Sequence, residues 1–187
     1  MRAQLAPDRD LVVQKLASRG VNLDEMAVLV FDLQKPYIPG LAHEACRHAV
    51  ERVLEKREVQ NAIITGIALD QAAERNELEE PLLSILRRDD GLYGIDEIMA
   101  LSIVNIYGTI GLTNFGYLDK VKPGVIGRLN DHSQPQVNTF LDDLVAAVAA
   151  AACSRLAHQA RDLKTAEEEV AAAGLRPLPE GVPTTEL

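Results

Sequence analysis

The 187-residue sequence predicts an all-α fold, a multi-helix bundle with a central apolar helix surrounded by others. Three observations predict it. Apolar residues recur three and four positions apart along most of the chain, and no segment alternates apolar and polar residues as a half-buried strand does. Alanine is abundant, which favours helices and close approach between them. Aromatics make up 4% and Trp is absent, so the core must be aliphatic.

The elements follow in order. Leu11, Val12 and Leu16 mark an amphipathic helix that stops at Gly20, a C-cap residue. Asn22 N-caps the next, with Met26, Val28, Leu29, Val30 and Leu33 apolar, ending before Pro36. KPYIPG is a turn by composition. Cys46, Ala49, Val50, Val53 and Leu54 keep helical spacing, continued by Val59, Ile63, Ile64 and Ile67 in one kinked helix or two stacked ones. Pro81 opens a short helix closed by Asp89, Asp90 and Gly91. Gly94 introduces IDEIMALSIVNIYG, which Gly108 interrupts before a shorter piece to about Leu118. Residues 120–136 read as connecting material. Thr139, with Asp142 three positions on, makes a capping-box-like start to TFLDDLVAAVAAAACSRLAHQARDL, the strongest helix. A polar helix at LKTAEEEVAAAG follows. The expected organisation is one helical domain over 1–175 and a flexible tail over 176–187.

Composition narrows the function. A formal charge of −9 argues against a nucleic-acid partner, which needs a basic surface. Cys46 and Cys153 make neither a disulfide framework nor a zinc set and read as reduced, buried thiols. The start of the sequence has no apolar signal core. Residues 98–118 carry no charge and reach the length of a membrane span, but Ser102, Asn105, Thr109, Thr113, Asn114 and three glycines fit the centre of a soluble bundle better.

Glycine-rich phosphate loops, HExxH, CxxC and nucleophile elbows are absent, so the candidate chemistry rests on carboxylates. Asp96-Glu97 opens the uncharged segment and Asp142-Asp143 opens the Ala-rich helix. Either pair alone is explained by the helix macrodipole, which favours acids in the first turn by about 0.3–1 kcal/mol. Together, beside apolar helices, they would repel unless a divalent cation neutralised them, and an oxygen-rich site suits Mg²⁺. Between them lies Asp119-Lys120-Val121-Lys122-Pro123, where Lys120, Lys122 and the later Arg128 offer positive charge to a phosphate.

The order D-E, then NFGYLDKVKPG, then LDDLVA resembles the phosphatidylglycerophosphatase A family. YGIDEIMALSIVNIYGTIGLTNFGYLDK and LQKPYIP are similar to its soluble branch, the low-temperature-requirement C type proteins. The matching positions are Asp96 and Glu97; Asp119, Lys122 and Pro123; and Asp142 and Asp143. The sequence departs at Ala100, where the family carries Gly, and at HSQPQVNT, where it has a glycine-rich approach.

The resemblance implies Mg²⁺-dependent hydrolysis of phosphatidylglycerophosphate to phosphatidylglycerol. Glu97, Asp142 and Asp143 would hold the metal, Asp96 and Asp119 would act as base or supporting partner, and Lys122 would stabilise charge on the phosphoryl oxygens. Lys120, Arg128 and Asn105 would bind substrate, Asn105 lying two turns beyond Glu97. The expected partners are a phospholipid or phosphate-ester substrate, the inner membrane face as a peripheral contact for a cytoplasmic protein, and further copies of the chain. The alternatives are a phosphatase for a soluble phosphomonoester, or a non-catalytic helical interaction or regulatory protein.

Overall fold

The computed structural model describes residues 8–133 and 135–172. α1 (Arg9–Ser18) is N-capped by Asp8, whose carboxylate accepts from the Leu11 N–H at 2.8 Å. It ends where Gly20 takes a left-handed backbone and Val21 N–H reaches the Leu16 carbonyl. α2 (Leu23–Gln34) carries the full capping box of Asn22 and Glu25. α3 (His43–Leu54) and α4 (Arg57–Glu74) are two helices separated at Glu55-Lys56. Pro81 precedes α5 (Leu82–Arg88).

The centre of the bundle is α9 (Leu141–Ala172). Every residue from Thr139 to Ser154 is buried, and α2, α3, α4, α6, α7 and α8 all pack on this helix. The alanines at 146, 147 and 149–152, with Val145 and Val148 among them, explain this, because a helix apolar all round is stable only when enclosed, and its small side chains admit neighbours on every side. The sequence placed the segment 98–118 there instead; its most apolar window is only 28% buried, so that assignment is corrected.

That segment doubles back. α6 (Ile95–Val104) starts beside the first turn of α9 and runs along it to a 3₁₀ turn at residues 105–107, where the Tyr107 carbonyl accepts from the Ser154 hydroxyl at 2.7 Å. Gly108 then adopts φ 69°, and α7 (Gly108–Val121) returns to bring Lys122 within 2.8 Å of Asp142. The stretch from Ile95 to Val121 is long and apolar enough to cross a membrane by length and composition. As a hairpin its legs are roughly 15 and 21 Å long at 1.5 Å per residue, shorter than a hydrocarbon core of about 30 Å.

Three local expectations are corrected. Residues within 120–136 include α8 (Val125–Leu129), which buries Val125, Ile126 and Leu129 against the core. Thr139 does not cap α9: its hydroxyl donates to the Leu86 carbonyl at 2.6 Å. Asp70 of α4 takes that role from across the bundle, its two carboxylate oxygens accepting from the Phe140 and Leu141 N–H groups, each at 3.1 Å. The polar stretch after Leu163 continues α9 through Ala172 rather than forming a separate helix, and the tail expected at 176–187 lies outside the described residues. Cys46 and Cys153 are free and buried.

Candidate active site

Four helix ends converge at one pole of the bundle: the C-terminus of α5, the N-terminus of α6, the C-terminus of α7 and the N-terminus of α9. They enclose a pocket of about 200 Å³ lined by Asp89, Asp96, Glu97, Asp119, Asp142 and Asp143, together with Lys122, Asn130 and two glycines. Six carboxylates face one ammonium. The two acidic pairs and the D-x-x-K-P segment, distant in sequence, therefore share one pocket.

The Lys122 ammonium is the hub. It lies 2.8 Å from Asp142, 3.1 Å from Asp119 and 3.8 Å from Asp143. Pro123 stops α7, and Lys122 caps it in the left-handed region at φ 47°, a conformation that costs a non-glycine residue stability and recurs at functional sites. Asp89 caps α5 the same way at φ 50°. Gly127 of α8 sits against the Lys122 carbonyl, where a Cβ would collide with the oxygen.

The site strains against its own charge. Burial, then the neighbouring Asp142, raises the Asp143 pKa; burial raises that of Asp142 against the opposing pull of Lys122. Burial likewise raises Asp96 and Asp89. Burial disfavours the Lys122 charge, but the surrounding carboxylates outweigh it and hold the ammonium well above the ordinary lysine value. Asp142 is further fixed by accepting from the Asp143 N–H at 2.9 Å.

One Asp96 oxygen, Oδ1, is buried without a hydrogen-bond partner. A buried acceptor lacking a donor, beside carboxylates that resist ionising, fits a hard cation that prefers oxygen ligands. Among the described residues no three carboxylate, His or Cys side chains stand together as a ready-made metal cage. Lys122 occupies the space between them, and Mg²⁺ needs only one or two protein carboxylates because it keeps waters or phosphate oxygens.

The structure divides the expected residues. Asp96, Asp119, Lys122, Asp142 and Asp143 line the pocket, as does Glu97. Of the first pair, however, Asp96 points inward and Glu97 is exposed at the rim, the reverse of the expected orientation. Lys120 is exposed and outside the pocket, since it is two residues from Lys122 and so on another side of α7. Arg128 is bound elsewhere, to Glu25 at 2.6 Å and to the Gly20 carbonyl at 2.8 Å, tying α8 to the start of α2. Asn105 is exposed in the 3₁₀ turn at the far end of α6.

Asp89 and Asn130 were not expected. Asp89 also pairs with His132 at 3.7 Å. Its only sequence signal was the helix-stopping Asp89-Asp90-Gly91 cluster, which reads equally as a turn.

The sequence model of the phosphatidylglycerophosphatase A family matches residues 26–158. The chain is 58% identical to YutG of Bacillus subtilis over 147 residues, spanning 79% of this chain and 89% of that protein. It is 53% identical to YpjQ of the same organism over 160 residues, spanning 86% and 90%. The fold is similar to the crystal structure of the low temperature requirement C protein from Listeria monocytogenes, with a TM-score of 0.79 at 55% identity, covering 85% of this chain and 98% of that one.

Proposed function

The chain belongs to the phosphatidylglycerophosphatase A family, and from that premise we propose that it is a Mg²⁺-dependent phosphatase converting phosphatidylglycerophosphate to phosphatidylglycerol and phosphate. The observation that carries this reading is the Lys122 ammonium held by Asp142 and Asp119 in the same pocket as the unpartnered Asp96 oxygen. Asp96, Asp142 and Asp143, with Glu97 at the rim, would hold the metal, which when bound supplies Lewis-acid polarisation of a phosphoryl oxygen. Lys122 donates hydrogen bonds to the equatorial phosphoryl oxygens, and its placement by Asp119 keeps it aimed into the pocket. Two carboxylates, Asp89 and Asp119, are left over, and Asp119, half-buried, would accept a proton from the attacking water. In this reading the protein works in the cytoplasm at the inner membrane face.

The test is Mg²⁺-dependent phosphate release from phosphatidylglycerophosphate by the purified protein. Release is expected from wild type and is expected to fall at least a hundredfold in Asp143→Asn, because that carboxylate would help hold the metal. Absence of release, or undiminished release by the variant, sinks the proposal. A second reading keeps the site but takes a soluble phosphomonoester, and the pocket favours it in one respect: none of its lining residues carries an apolar side chain. Faster turnover of a water-soluble phosphomonoester than of the lipid would select it.

A further inference from the structure

We infer that the outer face of the α6–α7 hairpin is the surface on which two copies of this chain associate. The inference stands independently of the phosphatase reading. Seven of the eleven large apolar side chains exposed among the described residues fall between Leu92 and Val121. On α6 they are Ile95 and Ile98, with Ile106 in the turn that follows; on α7 they are Leu112, Tyr117 and Val121. Ile98 is 61% exposed and Leu92, just before the hairpin, 96%. Monomeric proteins rarely leave such residues clustered in water, whereas singly scattered ones are ordinary.

Charge selects the occupant. Residues 98–118 carry no charged side chain on a chain whose formal charge is −9. Two copies brought together on a strongly acidic face repel, and the body of this face, 98–118, adds no charge, its net-acidic margin being confined to the end at the pocket. A bilayer is a poorer fit, because helices that lie on membranes present Lys and Arg beside their apolar stripe. Between Leu92 and Val121 the charged residues are Asp96, Glu97, Asp119 and Lys120, so the margin is net acidic.

Among the exposed residues between the large ones, Ser102, Thr109, Thr113 and Gly116 are small and allow helix axes to come close. Two legs about 10 Å apart and up to about 21 Å long project roughly 400 Å². Side-chain relief brings the accessible area toward the ~800 Å² per partner of a specific dimer. The contact is isologous, hairpin on hairpin. Its seam passes the pocket mouth, where Glu97 stands exposed next to Ile98.

The experiment is sedimentation of the full chain over a wide concentration range. Wild type is expected at twice the 20.4 kDa chain mass, and Ile98→Glu and Leu112→Glu, each at an exposed position, are expected to dimerise at least tenfold more weakly. Val28→Glu, on the exposed side of α2, is expected to leave the mass unchanged. Hydrogen exchange of wild type reads the same contact without substitution: amides of α6 and α7 should exchange faster on dilution. A single-chain mass at every concentration overturns the inference. So does a dimer that both hairpin variants and dilution leave intact, or a monomer that floats with phosphatidylcholine vesicles, which would give the face to a bilayer.

Discussion

Lys122 neutralises acids that are otherwise buried together, so its removal acts on charge before it acts on packing. Lys122→Met should cost about 2 kcal/mol at pH 8, less than the 3–5 kcal/mol of a fully buried pair because the ammonium is partly exposed. Asp142 and Asp143 already have raised pKa values and take up protons as the pH falls, so the Tm gap between wild type and variant should narrow at pH 5.5. An equal gap at both values would mean the lysine acts by packing alone. Asp96 separates function from stability in the opposite sense. Its Oδ1 has no partner to lose, so Asp96→Asn should change stability by less than about 0.5 kcal/mol while Mg²⁺-dependent phosphate release falls at least tenfold. Urea unfolding and a phosphate assay on one preparation check the pair of outcomes.

Among the elements, α9 depends on a cap supplied from another helix. Asp70→Ala removes the acceptor for two N–H groups at its start and should cost about 1–3 kcal/mol, measured by urea unfolding. A loss near zero would show that solvent satisfies those groups. Gly127→Ala pushes α8 off the Lys122 carbonyl and should cost about 1–3 kcal/mol, with activity falling alongside. The difference between these elements and the legible ones is range. Asn22 and Glu25 are three residues apart, and their capping box was readable because both partners lie in one turn. The acidic pairs were readable as residues but not in orientation: Asp96 and Glu97 stand about 100° apart, and only the packing of α6 on α9 decides which turns inward. Thr139 looked like a cap because Asp70, the residue that displaces it, lies 70 positions away from Phe140. The placement of 98–118 at the centre failed because mean apolarity does not distinguish an enclosed helix from one with an exposed apolar face.

For the whole molecule, the acidic pole sets the response to pH and metal. Asp89, Asp96, Asp142 and Asp143 have folded pKa values above the unfolded value of about 3.9. The folded chain then holds more protons through the interval between the two, and stability falls as pH rises through it. Glu25 and Glu74 are shifted downward, so their contribution is lost only in more acidic solution. Without divalent cations the Tm should therefore be higher at pH 5.5 than at pH 8. Adding Mg²⁺ should raise it more at pH 8, where fewer protons must be displaced. A Tm indifferent to both would contradict a cation-binding pole.

The return of the chain at Gly108 puts both ends of the hairpin at that pole, which makes the site a matter of helical phase. Deleting one residue within α6 or α7 advances everything beyond it by about 100° and 1.5 Å. Asp96 or Lys122 would then leave the pocket, or the Tyr107–Ser154 contact at the opposite end would break. A deletion in α9 beyond Leu156 moves nothing that touches the carboxylates. Single-residue deletions scanned along the chain should thus abolish phosphate release between Gly94 and Ser154 and become silent soon after it.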